Sequence, residues 1–595
     1  MKESEILIVG AGPTGIVAAL CLAKLGISST IVERNLGVNT HPKAHELNSR
    51  SIEILHALGI TDEELSSEAA PFTDGSRILF CHSINEEYGR IDLQDDPQRR
   101  EKYNTHLRSP TPYLNISQTA LEIIIRDHAK ANPLINLLYQ HQWHSAEEND
   151  HEIISKVENL ETNQNLLIKS AYVLGADGAG SRCRKHANIS MTGPDKIDDF
   201  ASAYFEANLR NFVKTPAKLY WILNPHAAGT FIAHHIEKRW VYMIPAYLQY
   251  QNKEDFTKSF FEEKIKTALG DPMIEIDVQS ISFWRMSAQV ANTYRKGRII
   301  LVGDAAHRFP PTGGLGMNTG IADAHNICWK LRAVINGQAR PTLLDTYETE
   351  RKPIADQNTK ESLFNYHKIF EVPGVFGLDK NGLLKLNKFK YSAPTKWLPD
   401  KWKNKIVQWA QNAAERKMRK HYLDPMTKEK LSTAIKNQIS HFDRLGLDIG
   451  YIYESGTVVS DGTAHPHPED PVSEYIPSTR PGARFPYLAL LGNMIHSTHD
   501  LLDYSQYTLL VRSTYNLWEE TCFKLKKEMG LDIKVYQLDL LGISETDLEK
   551  FIDLCQIDES GLLIIRPDGH VAFRSKSGLE CNTQNLKRIF AELGY

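Results

Sequence analysis

Three glycines near the start of the chain, Gly10, Gly12 and Gly15, constrain its fold more than any other feature. They follow a β-rich run over residues 4–9, helical spacing comes next, and a second β-rich run ends at Glu33. Such glycines allow a tight turn and a close approach of the backbone to a pyrophosphate, which the free N–H groups of the helix then bind. The spacing predicts a βαβ unit that binds a dinucleotide, with Glu33 accepting hydrogen bonds from a ribose.

The composition is that of an ordinary globular protein, with 42% apolar and 24% charged residues among 595. The formal net charge is −4, so the balance of basic and acidic residues gives no support for binding to nucleic acid or to an anionic membrane. It does not exclude a local basic groove. The 7 cysteines are scattered without a C-x-x-C pair, which indicates a reduced cytosolic protein. Residues 6–22 are almost uncharged, but their glycines and the acidic start argue against a signal peptide or a membrane span. We expect a cytoplasmic protein.

Two later motifs carry the same kind of chemistry. Residues 175–184 place Asp177 and a glycine directly after a buried strand. Residues 303–318 begin with Gly-Asp304 after another buried strand, continue through a glycine-rich loop and lead into a predicted helix over 316–335. An aspartate at the carboxyl end of a strand, followed by a glycine-rich loop and a helix, predicts a second cradle for an anion.

The remaining pattern divides the chain. Residues 200–285 read as antiparallel strands with interleaved aromatics, residues 350–450 have helical spacing, and Pro, His and Asp cluster within 461–471. The last part reads strand, helix, three strands and helix, with a two-residue hairpin turn at Asp568-Gly569. The predicted domains are a dinucleotide-binding domain (1–190 and 286–350), a substrate domain (191–285), a helical segment (351–460), a linker (461–479) and a C-terminal domain (480–595).

The three motifs, in this order and at these distances, resemble the single-component FAD-dependent aromatic hydroxylases of the p-hydroxybenzoate hydroxylase type, most specifically over 298–331. Residues 480–484 (Arg-Pro-Gly-Ala-Arg) and 566–573 (Arg-Pro-Asp-Gly-His-Val-Ala-Phe) resemble the phenol and polyketide hydroxylase branch. The resemblance implies an α/β fold: a Rossmann-like FAD domain of the glutathione-reductase type, an antiparallel-sheet substrate domain, a helical segment and a thioredoxin-like domain lacking C-x-x-C.

The resemblance also implies site residues. The three glycines would face the FAD pyrophosphate, Glu33 the adenosine ribose, and Arg50 and Gln118 the phosphates and ribityl chain. Lys43 stands where the family usually has Arg, and Leu315 where it often has Gln. The positions that match FAD-binding positions of the family are Gly10, Gly12, Gly15, Glu33, Arg34, Lys43, Arg50, Gln118, Asp177, Asp304, Gly316, Met317 and Asn318.

Other roles implied by the resemblance concern the chemistry. Asp177 belongs to a motif that serves both FAD and NAD(P)H, and Asp304 would bond the ribityl or phosphate region. The amides of residues 316–318 would stabilise negative charge at N1–C2=O of the reduced flavin. Pro311 would lie beside the flavin edge where oxygen reacts. His307 invites a general-base role, although in this family the residue is commonly part of a structural turn.

The function implied is an NADPH- or NADH-dependent FAD monooxygenase that hydroxylates a small phenolic or polyketide-like substrate with O₂ through a flavin C4a-hydroperoxide. Arg50, Pro311 and His307 are the candidate catalytic residues. The strand aromatics Tyr220, Trp221, Trp240 and Tyr242 fit either core packing or a flat substrate pocket, with the last two on one face. The expected partners are that substrate, O₂ and NAD(P)H, with no nucleic acid, in a monomer or homodimer.

Three alternatives stay open at this point. The same cofactor could support Baeyer–Villiger oxidation or epoxidation of a polyketide-like ketone. Residues 240–245 (Trp-Val-Tyr-Met-Ile-Pro) resemble a halogenase Trp-x-Trp-x-Ile-Pro segment, with Tyr for the second Trp. The third alternative is an FAD-binding scaffold without turnover.

Histidine and cysteine patterns predict no further chemistry. The pairs His234-His235 and His465/His467 lack a third ligand at a suitable spacing, so no metal site is expected. In the C-terminal domain, Cys522, Cys555 and Cys581 have no partner at the spacing that thiol–disulfide chemistry uses. We therefore expect a structural role for that domain.

Overall fold

The predicted βαβ unit lies inside a six-stranded sheet in the computed structural model, which describes residues 2–37, 41, 43–93, 109–110, 113–378, 399–492 and 495–595. Ile6–Val9 pairs in parallel with the strands on both sides of it, and all four of its residues are buried. A strand covered on both faces needs a continuous apolar run, which its sequence Ile-Leu-Ile-Val supplies. The strands in spatial order are Arg295–Lys296, Ile299–Leu301, Tyr172–Gly175, Ile6–Val9, Ser29–Glu33 and Ile135–Tyr139.

Two further sheets complete the first domain, and a two-stranded ladder joins its loops. The strands of the four-stranded sheet are Lys2–Glu3, Gln164–Ser170, Ile153–Asn159 and His141–Glu148. Those of the three-stranded sheet are Met191–Thr192, Gln289–Ala291 and His307–Arg308, and the ladder pairs Glu46–Leu47 with Leu114–Asn115. The helices are Pro13–Lys24, Ser49–Ala57, Asp62–Glu68, Phe72–Gly75, Gln118–Ala131, Arg182–His186 and Leu315–Ile335.

The middle domain is a seven-stranded sheet with a helix, Lys258–Leu269, packed on one face. Two of its strands, Arg77–Ser83 and Glu86–Asp92, come from the part of the chain that the sequence analysis places in the first domain. Pattern alone does not show which sheet a strand joins, because that depends on partners distant in sequence. The strands in order are Asp277–Met286, Asp198–Glu206, Arg239–Ala246, Gly229–His235, Leu219–Ile222, Arg77–Ser83 and Glu86–Asp92.

The helical segment covers the other face of this sheet. Val372, Met418 and Leu431 pack there against Phe80 and the half-buried Trp221. The helices are Asp345–Lys368, Glu371–Val375, Asp400–Tyr422, Pro425–Lys436 and Leu445–Ile449. Among the described residues, none of the helices has the length and apolarity needed to cross a bilayer.

The C-terminal domain has one helix more than the sequence pattern predicts. Glu545–Cys555 follows the second strand, and its N-cap Ser544 accepts a hydrogen bond from the backbone of Asp547. This helix completes a strand–helix–strand–helix–strand–strand–helix order. Its strands in spatial order are Ile533–Gln537, Tyr507–Val511, Leu562–Ile565 and Val571–Ser575, and its other helices are Tyr515–Met529 and Thr583–Glu592.

The hairpin between the last two strands differs from the predicted two-residue turn. The backbone N–H of Arg566 donates to the His570 carbonyl at 2.8 Å, which leaves three loop residues. Gly569 has φ +73°, the left-handed conformation that such a three-residue loop requires. The tip of this hairpin docks against the first domain, as described below.

Candidate active site

The three fingerprint glycines meet different requirements. A Cβ on Gly10 would lie 2.4 Å from the Ala176 carbonyl oxygen, and one on Gly15 would lie 2.0 Å from the carbonyl oxygen of Gly10. A Cβ on Gly12 would meet nothing within 4 Å. Gly10 and Gly15 are therefore required by the packing of the protein itself, whereas Gly12 keeps space open in a cleft. This is the cradle that a pyrophosphate needs.

Donors and acceptors of a nucleotide site surround that cleft. The helix Pro13–Lys24 begins with Pro13 and has no side-chain cap, so its first amides are available to an anion. Glu33 Oε2 accepts a hydrogen bond from the Ala11 amide at 2.9 Å, and its Oε1 accepts one from the Asn35 amide at 2.9 Å. Arg34 is exposed beside it. These positions fit the adenosine end of FAD.

One face of the helix Gln118–Ala131 braces the fingerprint turn. Gln118 exchanges backbone and side-chain hydrogen bonds with Ala44 and donates from Nε2 to Glu122 Oε1 at 2.8 Å. Arg126 donates from Nη2 to the Ala11 carbonyl at 2.7 Å and contacts Glu122. Glu122 and Arg126 were not predicted from the sequence, although their four-residue spacing after Gln118 was a signal for them.

Two predicted carboxylates lie at the cleft. The side chain of Asp304 is exposed at the cleft, but the protein around it still limits its hydration. Limited hydration raises the pKa of Asp304, although the charges of His307 and Lys43 oppose this rise. Asp177 Oδ2 accepts from the amides of Arg182, at 2.6 Å, and Cys183, at 3.2 Å. Its other oxygen, Oδ1, is buried without a hydrogen-bond partner among the described residues. A free acceptor at this place is available to a ligand.

The loop before the long helix Leu315–Ile335 presents a second set of free amides. Gly314, at φ +61°, is its N-cap, and no side chain caps the helix. The amides of Gly316 and Met317 thus remain available, as the sequence predicts. The side chain of Asn318 instead holds the loop, donating to the carbonyls of Glu46 at 3.0 Å and Gly314 at 2.9 Å. Pro311 is exposed just before this turn.

His307 lies in a buried anchor, with no exposed surface. Its Nε2 is 2.6 Å from Asp323 Oδ2, and Arg351 Nε donates to Asp323 Oδ1 at 2.8 Å. Burial favours the protonated form of Asp323, but the charges of His307 and Arg351 outweigh it and lower the pKa. This geometry supports a structural role for His307 in the turn and not a catalytic one.

Arg50 is held by its own helix and by the C-terminal hairpin. Its Nη2 donates to the Asp568 carbonyl in the C-terminal hairpin at 2.5 Å, and its Nη1 donates to Glu53 at 3.2 Å. Both terminal nitrogens of Arg50 therefore have protein partners, and its contact with the flavin phosphates stays a prediction. Family resemblance places a residue in a segment, but it does not fix the direction of a side chain when another domain supplies partners.

The structure separates the four strand aromatics. Tyr220, Trp240 and Tyr242 fill the core beneath the helix Lys258–Leu269 with no exposed surface. Their polar atoms donate to the backbone carbonyls of Thr215, Ile236 and Ala227, respectively. Trp221 lies on the opposite face, with its ring 4.7 Å from that of Phe80. The first three therefore have a packing role, which also explains the halogenase-like segment.

A contact between two histidines that the sequence did not predict lies between the first domain and the middle sheet. His45 Nδ1 is 2.9 Å from Asn115 Oδ1, and the His45 ring meets His234 edge-on at 5.5 Å. His234 is only 2% exposed, and neither ring nitrogen has a partner among the described residues. Burial lowers the pKa of both histidines, which keeps them neutral near pH 7.

A cluster of buried charges lies behind the loop that ends at Gly314, the N-cap of the long helix. Glu46 Oε1 is 3.1 Å from Arg444 Nη2 and 3.4 Å from Lys218 Nζ. Burial raises the pKa of Glu46, but the two cations outweigh this effect and bring it to about 2. Asp448 lies 3.6 Å from Arg444 and accepts a hydrogen bond from Asn48. A Cβ on Gly314 would stand 3.2 Å from Glu46 Oε2, so the cluster lies directly against the loop.

Comparison of the sequence with known proteins identifies a family and several relatives. The model of a family described as FAD binding domain matches residues 3–362. Phenol 2-monooxygenase of Pseudomonas sp. (strain EST1001) is 30% identical over 600 residues, covering 97% of this chain and 90% of that protein. The 2,4-dichlorophenol 6-monooxygenase of Delftia acidovorans is 27% identical, covering 98% of this chain and 97% of its own.

Two solved structures are similar to this chain over nearly its whole length. The flavin-dependent monooxygenase PieE, in complex with FAD and substrate, matches with a TM-score of 0.87 and 27% identity over 99% of both chains. A complex of aklavinone-11 hydroxylase with FAD and aklavinone, at 24% identity, has the same fold with a TM-score of 0.78 over 100% of this chain and 99% of its own.

Proposed function

The chain belongs to the FAD binding domain family and is an FAD-dependent monooxygenase; we propose that it hydroxylates a phenolic ring, with NADPH or NADH as the reductant. The observation that carries the cofactor assignment is the cleft itself. It joins the open space at Gly12, the first amides of two uncapped helices and the carboxylates of Glu33 and Asp304. When bound, FAD supplies electron transfer from the nicotinamide and activation of O₂.

The residues of this chain divide the remaining work. The fingerprint turn and Glu33 would hold the adenosine half, and the amides of residues 316–318 would face the flavin ring, where a helix N-terminus favours negative charge. Asn318 keeps those amides in place through the carbonyls of Glu46 and Gly314. Pro311 borders the space for the substrate. Lys43 is exposed, and its charge opposes the rise that limited hydration causes in the pKa of Asp304, so Lys43 lies near enough for a contact with the phosphates.

We further propose His45 as the group that receives the phenolic proton. Its Nδ1–H donates to Asn115 Oδ1, and Nε2 is then the acceptor in the neutral ring. Asn115 is itself fixed by a hydrogen bond from Nδ2 to the Ala233 carbonyl at 3.1 Å. His234 offers unpartnered nitrogens beside it. A phenolate is richer in electrons than a phenol, so removal of this proton favours attack by an electrophilic oxygen.

The cofactor and the reaction are tested in two steps. Heat or acid should release free FAD from a yellow protein; flavin that stays with the precipitated chain would contradict non-covalent binding. Purified holoenzyme is then mixed with NADPH or NADH and a panel of phenols and aromatic ketones under ¹⁸O₂, and the products are analysed by mass spectrometry. One ¹⁸O on the ring supports hydroxylation. Label inserted beside a carbonyl indicates Baeyer–Villiger oxidation, and the absence of substrate-stimulated NAD(P)H oxidation indicates a scaffold.

The base assignment has its own test. His45→Gln should lower kcat by roughly 10²-fold, the usual contribution of a positioned base, and remove the acidic limb of the pH–rate profile. His128→Gln, at a surface salt bridge with Glu64, is the matched control and should behave as the wild type. An unchanged pH profile in His45→Gln with normal FAD content would reject the assignment.

A further inference from the structure

The helix Asp400–Tyr422 has an outward face that the proposed reaction does not use. Its inward side packs on the middle domain through Met418 and Gln411, whose Nε2 donates to the Pro225 carbonyl at 3.0 Å. On the outward side, Trp402, Ile406 and Trp409 follow one another at helical spacing and are 60%, 40% and 68% exposed. Two exposed tryptophans on one helix face mark an interaction site rather than an ordinary surface.

The same helix concentrates positive charge. Its sequence contains seven Lys and Arg residues and two acidic residues, in a chain whose overall formal net charge is −4. One of the two acids, Glu415, is engaged with Arg419 and His82. The next helix, Pro425–Lys436, adds three Lys against one Glu. Exposed apolar side chains continue across the junction between the two helices, at Leu423 and Met426.

We propose that this tryptophan face, formed by Trp402, Ile406 and Trp409 with the basic side chains around them, docks onto the surface of an anionic lipid bilayer. Indole rings favour the membrane–water interface, where their apolar body and polar N–H are both satisfied. Lys and Arg are attracted to anionic headgroups, and their apolar stems contribute to the contact. The helix would lie in the plane of the interface while its inward side stays packed on the protein.

Two other occupants fit the charge and composition less well. A symmetric contact with a second copy would place this basic helix against its own equivalent, and like charges would oppose the contact. A nucleic acid could accept the lysines and stack on the tryptophans. It offers no apolar environment to Ile406, Leu423 and Met426, however, whereas acyl chains do.

The docking goes beyond the proposed hydroxylation and does not depend on it. It would hold the enzyme at a surface in which apolar aromatic compounds accumulate.

Flotation of the holoenzyme with lipid vesicles tests the proposal. Phosphatidylcholine vesicles with phosphatidylglycerol should carry the protein upward at low salt, with a blue shift of tryptophan fluorescence, and vesicles of phosphatidylcholine alone should carry much less. The double variants Trp402→Ala/Trp409→Ala and Lys401→Glu/Lys405→Glu should each reduce the bound fraction about tenfold or more. FAD absorbance and melting temperature should remain at wild-type values, because these side chains are exposed.

The matched control carries an aromatic and a lysine on another exposed helix face. Phe523→Ala/Lys527→Glu, in the C-terminal domain, removes a side-chain pair with the Lys nitrogen 4.3 Å from the ring centroid and should bind vesicles as the wild type does. Equal binding to both kinds of vesicle, or no binding at all, would overturn the proposal. So would a dimer-to-monomer shift in the tryptophan variant, or a preference for nucleic acid over vesicles.

Discussion

Two buried charge clusters connect the first domain to its neighbours, and they are built differently. The flavin-side cluster (Glu46, Lys218, Arg444 and Asp448) has N···O separations of 3.1, 3.4 and 3.6 Å. The hairpin cluster (Lys330, Glu350, Arg566 and Asp568) is tighter: Arg566 donates from both Nη atoms to Glu350 at 2.9 Å, and Lys330 lies 2.8 Å from the same carboxylate. Each cluster combines two carboxylates with two cations.

Their surroundings explain the difference. The hairpin cluster is enclosed by the long helix, the helix Asp345–Lys368, Thr457 and the C-terminal hairpin. The flavin-side cluster lies against Gly314, the N-cap of the helix whose first amides would face the flavin. Buried ion pairs contribute little net stability compared with apolar packing, but removing one partner is costly. We infer that the hairpin cluster fixes the docking of a domain, whereas the flavin-side cluster also controls a functional loop.

A short helix, Ser49–Ala57, connects the two clusters. At its start, Asn48 donates from its backbone to Asn318 and from Nδ2 to Asp448 on the flavin side. Two residues further on, Arg50 donates to the Asp568 carbonyl on the hairpin side. The C-terminal domain therefore has a direct structural route to the loop that would face the flavin.

The largest effect is expected from Arg566→Ala. This change leaves the carboxylates of Glu350 and Asp568 buried with one remaining cation, and the cost of such an unpaired charge is about 3–5 kcal/mol in the free energy of unfolding. Denaturant titration followed by far-UV circular dichroism measures it. Arg512→Ala removes a partly exposed pair with Asp539 and should cost less than about 1 kcal/mol. Equal losses in the two variants would contradict the role of the hairpin cluster.

A matched pair of carboxylate changes separates the clusters by function. Glu46→Gln should lower turnover per bound FAD about tenfold and increase the fraction of NAD(P)H consumed without product, because the loop at Gly314 shifts. Glu350→Gln removes an equally buried charge, whose pKa the nearby cations lower to about 2 despite burial. It should lower the melting temperature while turnover per FAD stays near wild type. If both variants consumed the same increased fraction of NAD(P)H without forming product, the two clusters would not differ in function.

The contrast also shows what a sequence can reveal. The glycine turns and the helix starts were predictable, because each follows from local backbone requirements that a few residues satisfy. The contact of Arg50 with the C-terminal hairpin was not predictable, because its partner, the Asp568 carbonyl, lies 518 positions away in the chain. Tyr220 and Trp240 were ambiguous because alternation tells which residues share a face, not what covers that face. His45 and His234 meet only across two domains, so no local pattern identifies them.

Lys330 should give the hairpin cluster a distinctive pH dependence. Burial lowers its pKa from 10.5 to about 8, against the attraction of Glu350. Between these values the unfolded chain binds more protons than the folded one, so the stability contributed by this group rises as the pH increases from 8 to 10.5. Relative to Lys330→Met, the wild type should gain roughly 2–3 kcal/mol over that window. Parallel curves of stability against pH for the two proteins would contradict a lowered pKa of Lys330.

The smallest effect is expected from the thiols of the C-terminal domain, and it decides whether that domain acts through docking or through redox chemistry. Cys522 is buried, burial raises its pKa to about 12, and Cys581 beside Thr521 also has a raised pKa because of burial. A nucleophilic thiol needs the opposite shift. Cys522→Ser/Cys581→Ser should therefore leave NAD(P)H-coupled product formation within about twofold of wild type. Ser is the control for size, so a large loss of turnover with normal FAD content and an unchanged circular dichroism spectrum would reveal thiol chemistry. It would also mean that the hairpin cluster docks a catalytic domain and not only a structural one.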